Sequence, residues 1–431
     1  MANIIEPKVL KGFRDFLPAE EIERRGLIAR IENVYKSYGY VPIDTPALEY
    51  AEILFGKGGG ETEKQVYRFT DSGGRDVALR FDLTVPLARF TAAHYDELSM
   101  PFKRYHIAKV WRGENTQRGR YREFTQCDCD SLGEDSALAD FEILCMMNDA
   151  LTAATGGTAV SIHVNHRGLF NRFLDKLNLQ EKSAEILRTV DKIKKIGREE
   201  TKSLLEETAG SGAADKILEY IESAGDRRGT LKALTALAGG DCPESERLQS
   251  IYAMLEDAGI ADRFVLDPSI TRGLDYYTGI VYESFLSELP DIGSVCSGGR
   301  YGSLAGLYTR RVISGVGTSI GLDRLIAALA ALGRKESRVS YAWLAIAVTD
   351  EKSGGVCQRI AAKFRDAGVP CELLNADMKK AGAFYGSVEK RGIPYVVFTN
   401  EKAEGLTLRI LSERKNIERL TIEEVLNTIC G

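Results

Sequence analysis

Residues 112–130, RGENTQRGRYREFTQCDCD, concentrate the side chains best able to do chemistry in this chain. Read as an extended strand from Arg120 onward, successive side chains alternate between two faces. Arg120, Arg122, Phe124, Gln126, Asp128 and Asp130 then share one face, and Tyr121, Glu123, Thr125, Cys127 and Cys129 the other. Guanidinium groups, an aromatic ring, an amide and carboxylates in one row suit a nucleotide beside a polar organic substrate. The phosphates would lie on the arginines, the base on the ring, and the substrate against Gln126 and Asp130. The competing reading is the solvated face of an edge strand. Against it, the preceding YHIAKVW (105–111) is apolar enough for burial, and a loop with Gly113 and Gly119 joins the two segments. An antiparallel hairpin inside a large sheet is therefore expected.

The elements that must position this hairpin can be read along the chain. Residues 20–37 predict a helix with Leu27, Ile31 and Val34 or Tyr35 on one face, started by Pro18 and stopped by Gly39. YVPIDTPALEY (40–50) predicts a short strand and a proline-bent segment. VALRFDLTVPLARF (77–90) predicts a strand leading into a helix, with Asp82 and Thr84 at the junction. Residues 135–154 read as helix and AVSIHVN (159–165) as strand. From about 171 to 262 the pattern is helical and charged, broken at GSG (210–212) and GGDCP (239–243), which marks a helical insertion. Strand-type sequence resumes at RGLDYYTGIVYESF (272–285) and GGRYGSL (298–304), and ends in a strand, glycine turn and helix at SGVGTSIGLDRLIAAL (314–329). After a polar linker at 331–339, residues 340–431 alternate strands and helices as a compact α/β domain.

Composition sets the class. A chain of 431 residues, 44% hydrophobic and 28% charged, is expected to form two or three soluble domains. No apolar run approaches the roughly 20 residues of a membrane span, and the N-terminus lacks a signal-peptide core, so a cytoplasmic location without membrane contact is expected. The eight cysteines form no C-x-x-C pair, and His163 and His166 have no third ligand nearby in sequence, so no metal site is read. The net charge of −5 argues against indiscriminate nucleic-acid binding. Yet between Lys103 and Arg122 seven basic residues face only Glu114, which suits a selective polyanion.

Together these segments resemble the class II aminoacyl-tRNA synthetases, and within them the histidyl-tRNA synthetase family, over nearly the whole chain. KGFRDFLP (11–18) resembles that family's N-terminal lead-in, and YGYVPIDTP (38–46) its motif 1, whose proline, here Pro46, implies a homodimer. FKRYHIAKVWRGENTQRGRYREFTQ (102–126) resembles motif 2, and GTSIGLDRL (317–325) motif 3. RGLDYYTG (272–279) and SGGRYG (297–302) resemble the segments peculiar to the histidine enzymes.

The resemblance implies an α+β fold: an antiparallel-sheet catalytic domain over 1–330, with its helical insertion, followed by an anticodon-binding domain. It implies activation of L-histidine by ATP with Mg2+, giving histidyl-adenylate and pyrophosphate, then transfer to the 3′ end of tRNA(His). Such chemistry needs no protein nucleophile; it needs anions held in line and developing charge stabilised. By resemblance, Arg112 meets the α-phosphate and the histidine carboxylate, Phe124 stacks on adenine, Glu114 reads its amino group, and Arg324 lies on the far side of the ATP. Arg120 and Arg122 are candidates for the phosphates. Arg272 is expected between carboxylate and α-phosphate, doing part of a metal's work. Asp82, Thr84 and Gln126 are expected to take the α-ammonium group. Asp130 and Tyr277, beside Tyr276, are expected at the two imidazole nitrogens. Gln117 and Arg118 at the motif 2 tip are expected to probe the tRNA acceptor end.

Two departures stand out: Gly302 where the family usually has Asp, and Asp82 and Asp130 where many bacterial members carry Glu, as in the family's eukaryote-like branch. Three rival readings use similar features. They are a catalytically silent paralogue serving as regulatory subunit of ATP phosphoribosyltransferase, a class II synthetase for proline, threonine or glycine, and a stress-sensing domain that binds uncharged tRNA. The intact RGLDYY segment and the C-terminal domain argue against the first, the RGLDYY segment against the second, and the extra modules that stress-sensing proteins carry, not read in this sequence, against the third.

Overall fold

The computed structural model describes residues 4–55, 65–223, 225–271, 277–302, 304–334, 338–399 and 405–430. The chain divides into two units, Met1–Arg14 with Leu27–Arg334 and Asp15–Gly26 with Lys335–Gly431. In chain order the elements up to the insertion are α1 (Pro18–Ser37), β1 (Val41–Pro42), β2 (Leu48–Tyr50), α2 (Ala51–Phe55), β3 (Arg68–Thr70), β4 (Asp76–Leu79), α3 (Thr84–His94), β5 (Phe102–Trp111), β6 (Glu123–Leu132), α4 (Ala137–Thr155) and β7 (Val160–His166). The insertion carries α5 (Arg167–Lys176), α6 (Ser183–Val190), α7 (Ile193–Ile196), α8 (Arg198–Ala209), α9 (Ser211–Ile221), α10 (Arg227–Leu237) and α11 (Pro243–Asp257). The unit closes with β8 (Phe264–Leu266), β9 (Tyr277–Leu286), β10 (Cys296–Tyr301), β11 (Gly315–Gly321) and α12 (Leu322–Ala331).

Its main sheet runs β1-β5-β6-β11-β10-β9-β7-β8. All inner pairings are antiparallel; only the edge pairs β1–β5 and β7–β8 are parallel. The expected motif 2 hairpin is β5–β6, paired over its full length and flanked by β11, so it lies inside the sheet. Along β6 the alternation holds. Cys127 and Cys129 are fully buried in the main core with Leu27, Ile31 and Tyr35 of α1 and Ile143 and Met147 of α4, while Phe124 and Gln126 line a cavity on the opposite face. Helix α1 stops where Gly39 takes φ +79°, a conformation that favours glycine.

The strand begins at Glu123, not at Arg120. Gln117 and Arg120 close a tight turn by bonding each other's backbone, and Arg122 leaves the expected row altogether. Its backbone N–H donates to Gly12 O, its guanidinium donates to the carbonyls of Glu114 and Lys11, and its methylenes cover Gly12. Arg122 thus ties the hairpin to the N-terminal segment.

On the cavity side of β6, register sets each polar residue between chosen neighbours: Gln126 between Ala108 and Gly321, Asp128 between His106 and Ser319, and Asp130 between Arg104 and Gly317. Gly317 is required there, because a Cβ would lie 1.9 Å from Asp130 Oδ1. Fully buried Arg104 places Nη2 2.6 Å from Asp130 Oδ2, and Tyr301 Oη donates to Asp130 Oδ1 at 2.8 Å. Behind the sheet, Asp140 of α4 accepts from Arg300 of β10 at 2.7 Å and from Arg247 of α11 at 2.6 Å. This ionic group fastens the insertion to the sheet. The insertion is helical as expected. The short strands β3 and β8 are additions that the sequence pattern does not announce.

The second unit contains β12 (Leu344–Val348), α13 (Gly354–Asp366), β13 (Cys371–Asn375), α14 (Ala381–Lys390), β14 (Tyr395–Thr399), β15 (Leu406–Ile410), β16 (Lys415–Leu420) and α15 (Ile422–Cys430). Its sheet order is β13-β12-β14-β15-β16, parallel among the first three and antiparallel beyond.

Removing one partner of a buried ion pair strands the other charge, at a cost of about 3–5 kcal/mol. Arg104→Met is expected to lose stability on that scale in urea unfolding, while Arg228→Met, at an exposed arginine, stays near wild type. An Arg104→Met protein as stable as wild type would remove Asp130 from this structural role.

Candidate active site

The cavity-facing residues of β6 are completed by three neighbouring elements. Arg80 fixes the approach to α3: its guanidinium donates to Lys109 O and Thr45 O. Asp82 follows, accepting the Val85 N–H at 3.0 Å through Oδ1 and so starting α3, whose first residue is Thr84. The loop is pinned from below, where Arg104 Nη2 donates to Leu83 O at 3.4 Å. At the other end, Asp323 in the first turn of α12 accepts the Thr125 N–H at 2.7 Å and pairs with Arg14, which sets Arg324 beside β6. Arg324 is held by a 2.6 Å bond from Nη1 to Ser294 O.

Two adjoining compartments result, sharing Arg112, Arg120, Gln126, Ser294, Ser297, Ser319 and Arg324. The smaller, about 130 Å³, adds Glu114, Phe124 and Asp323. The larger, about 310 Å³, adds Asp82, Thr84, Asp128, Tyr277 and Glu283. Arg112 is fixed at the junction: Nε donates to Phe81 O at 2.8 Å and the guanidinium lies 5.1 Å from the Phe124 ring centre. Glu114 pairs with Arg120 at 3.1 Å. The arginines therefore line both compartments, the aromatic wall belongs to the smaller, and Asp82, Thr84 and Asp128 belong to the larger.

The expected residues separate into four groups. Asp82, Thr84, Arg112, Glu114, Arg120, Phe124, Gln126, Tyr277 and Arg324 all line the cavity. Asp130 is not among the lining residues: Arg104 Nη2 lies 2.6 Å from its Oδ2 and Tyr301 Oη donates to its Oδ1. Gln117 and Arg118 are exposed at the hairpin tip, outside the cavity lining, where Gly119 packs against Arg324 and Ala327. Arg272 and Tyr276 fall outside the described residues. Sequence reasoning assigned no role to Asp128, Glu283, Ser297 or Ser319. Asp128 was visible in the same alternating row, and Ser297 in the SGGRYG segment.

Burial dominates the electrostatics. It pushes the Asp82 carboxyl up to about 6, against the opposing pull of the Val85 N–H and Arg112. It pushes Asp128 up to about 7, with neighbouring Asp130 and Asp82 adding to the effect and Arg104 opposing it. His106, under the same floor, is lowered to about 4 by burial and then by Arg104 and Arg80, so its ring is neutral. The acceptors Asp82 Oδ2, Gln126 Oε1 and Asp128 Oδ1 have no hydrogen-bond partner. Buried acceptors without donors are costly, and a cationic, donor-rich ligand would satisfy all three. Outside the cavity, His163 bonds Asp267 at 2.7 Å. Among the described residues no three of His, Cys, Asp and Glu gather around a possible metal ion.

Comparison with known proteins agrees with this geometry. The family model described as histidyl-tRNA synthetase matches residues 12–325, and one described as anticodon binding domain matches 343–430. A histidine–tRNA ligase from Treponema denticola is 53% identical over 407 residues, covering 93% of this chain and 90% of that relative. The crystal structure of a histidyl-tRNA synthetase from Nostoc sp. PCC 7120 superposes with a TM-score of 0.88 at 29% identity, covering 99% of both chains. A Bacillus halodurans structure described as an ATP phosphoribosyltransferase regulatory subunit/histidyl-tRNA synthetase shares the fold, with a TM-score of 0.76 at 20% identity over 92% of this chain and 99% of that one.

The raised carboxyl of Asp82 has a stability consequence with a defined sign. Its folded pKa lies above its unfolded value, so its favourable contribution is full below about pH 4 and is lost as pH rises through about 6. Asp82→Asn keeps an acceptor for the Val85 N–H and removes the charge. Relative to wild type, the ligand-free variant is expected to gain stability from pH 4 to about pH 7 and then level off, at about 3 kcal/mol. Thermal melts across that range check it; a pH-independent difference contradicts it.

Proposed function

Because this chain belongs to the histidyl-tRNA synthetase family, we propose that it acts as a histidine–tRNA ligase. In the first step an oxygen of the L-histidine carboxylate attacks the α-phosphorus of ATP, and the bond to the bridging oxygen breaks as pyrophosphate leaves. In the second, a ribose hydroxyl at the 3′ end of tRNA(His) attacks the activated carbonyl and AMP leaves. The observation that carries this reading is a pair of adjoining compartments that share Arg112, Arg120, Arg324 and Gln126, with Phe124 and Glu114 on one side and Asp82 and Thr84 on the other. A zwitterionic amino acid fits such a site with its ammonium group by Asp82 and Thr84 and its carboxylate turned toward a phosphate by the arginines.

Within this reading, Arg112 holds the carboxylate and the α-phosphate together, a role supported by its fixed position at the junction of the compartments. Phe124 and Arg324 flank the adenine, Glu114 reads its amino group and Arg120 meets the phosphates. Asp82, Thr84 and Gln126 take the ammonium group, and Tyr277 with Tyr276 the ring. Arg272 supplies the cation between carboxylate and α-phosphate. Mg2+ arrives on the triphosphate as MgATP; the described residues offer it no cage of their own. Gln117 and Arg118, exposed at the hairpin tip, meet the acceptor end of tRNA(His), and residues 340–431, beyond a linker at 331–339, bind its anticodon arm.

A homodimer and a cytoplasmic location complete the proposal. No described helix is long and apolar enough to cross a membrane. For the dimer, the support is an outward apolar face following Pro46. Leu48 and Tyr50 of β2 and Phe69 of β3 are cross-strand neighbours of Leu79 and Val77 of β4, and all three are exposed.

Two measurements test these readings. ATP–pyrophosphate exchange with each of the twenty amino acids and Mg2+ is expected with histidine alone, and Arg112→Gln is expected to reduce it at least about 100-fold, as loss of a charge-stabilising donor does. Folded wild-type protein that exchanges none of them would instead support a silent regulatory paralogue. Light scattering is expected to give twice the chain mass for wild type and the chain mass for a Tyr50→Glu, Phe69→Glu double variant; a monomeric wild type contradicts the dimer.

A further inference from the structure

The helical insertion holds a cavity that shares no lining residue with the two substrate compartments. It lies between α10 and α11 and measures about 530 Å³, within the range of small-molecule sites. We propose that it binds an elongated organic monoanion, an apolar chain with a carboxylate head, the head seated beside Arg228 and Lys232.

The cavity follows from helical spacing and residue size. On α10, residues 227, 231 and 235 and, beside them, 228, 232 and 236 recur every four positions; on α11, so do 249 and 253, and 252 and 256. Each helix therefore turns one face to the space. Leu231 and Tyr252, 6% and 4% exposed, supply its apolar wall. Ala236, Gly240 and Ala253 carry too little side chain to close the gap. Charge is uneven along it. At the N-terminal end of α10, Arg227 and Arg228 share one carboxylate, that of Glu256, at 3.0 and 3.3 Å. Lys232, one turn on, is exposed and has no ion-pair partner among the described residues. In the wall, Arg227 Nε and Tyr252 Oη have no hydrogen-bond partner, although the guanidinium lies 4.8 Å from the ring centre. Three cations against one carboxylate call for an anionic head with acceptor oxygens at this end. Asp241 lines the opposite end and repels such a head. Nine residues of helical rise, from 227 to 236, give the cavity a length of about 13 Å. A lone inorganic anion leaves that apolar stretch uncovered, and an uncharged chain leaves the cations unmatched. A medium-chain carboxylate such as octanoate meets both requirements.

The test is calorimetry with full-length protein and octanoate. One saturable site per chain is expected, unaffected by prior saturation with MgATP and L-histidine. 1-Octanol and octylammonium keep the chain but lose the anion, and are expected to bind at least about 10-fold more weakly, the loss of a hydrogen bond to a charged group. An Arg228→Glu, Lys232→Glu variant, changed only at exposed residues, is expected to weaken octanoate binding by a similar factor. Ala253→Phe fills the space, leaves the charges in place and is expected to abolish binding. No saturable binding up to about 10 mM, displacement by MgATP and histidine, equal affinity for 1-octanol, or binding retained in Ala253→Phe each overturns the assignment. A cavity that takes no octanoate, in a protein whose double variant loses the dimer mass in light scattering, belongs to a second copy of the chain instead.

Discussion

The buried pair between Arg104 and Asp130 is the constraint on which the candidate site depends. It crosses the two central strands of the hairpin, with Arg104 fully buried and its Nη2 2.6 Å from Asp130. A pair this deep is costly to desolvate, and its retention is explained by what it positions rather than by net stability. Arg104 also reaches the Leu83 carbonyl, which holds the turn bearing Asp82 and Thr84. Asp130 reaches Tyr301 on β10, and it can lie where it does only because Gly317 on β11 has no side chain. One guanidinium thus sets the relative positions of the α3 turn and three strands, and these form the floor of the cavity. The acceptors above that floor inherit their spacing from it.

The sequence told more about which face than about which residue. Alternation along 123–132 correctly separated Cys127 and Cys129, bound for the core, from Phe124 and Gln126, bound for the cavity. It could not say where pairing starts. The turn at 117–120 consumes Arg120, and Arg122 is captured by the carbonyls of Lys11 and Glu114, one of them more than a hundred residues away. Nor could it rank Asp128 against Asp130, which share a face two residues apart. The distinction comes from β5 and β11, where Arg104 and Gly317 flank one and His106 and Ser319 the other. The resemblance to a family supplied the role of Asp130, and its packing against Arg104 and Tyr301 is what the alternation could not show.

Elements that escaped the pattern share a cause. β16 has four of six residues polar and exposed, which gives no strand alternation; it exists because β15 offers an edge to pair with. β8 is three residues long and pairs in parallel with β7 after the whole insertion has intervened. α14 carries Gly382 and Gly386, poor helix formers, and is stabilised by burying Phe384 and Val388. In each case tertiary contact overrides a weak local preference. The Asp140 ionic group is the same kind of fact at the level of architecture. Arg247 and Arg300 are ordinary surface-type residues in sequence, yet they converge on one carboxylate and join the helical insertion to the strand that also carries Tyr301.

The regulatory-type Bacillus halodurans protein shares this fold, so fold alone does not separate ligase from silent paralogue. What separates them must lie in the cavity, and there the argument is one of charge. Asp82 and Asp128 are buried deeply enough that their carboxyls are held well above the ordinary range, and among their oxygens two lack any donor. A scaffold kept only for its shape would gain by replacing them with amides or apolar groups, since each unpaired buried acceptor opposes folding. Their presence is balanced only when a ligand brings cationic and N–H donors to them while leaving an anion for Arg112. An amino acid poised for activation has that distribution of charge.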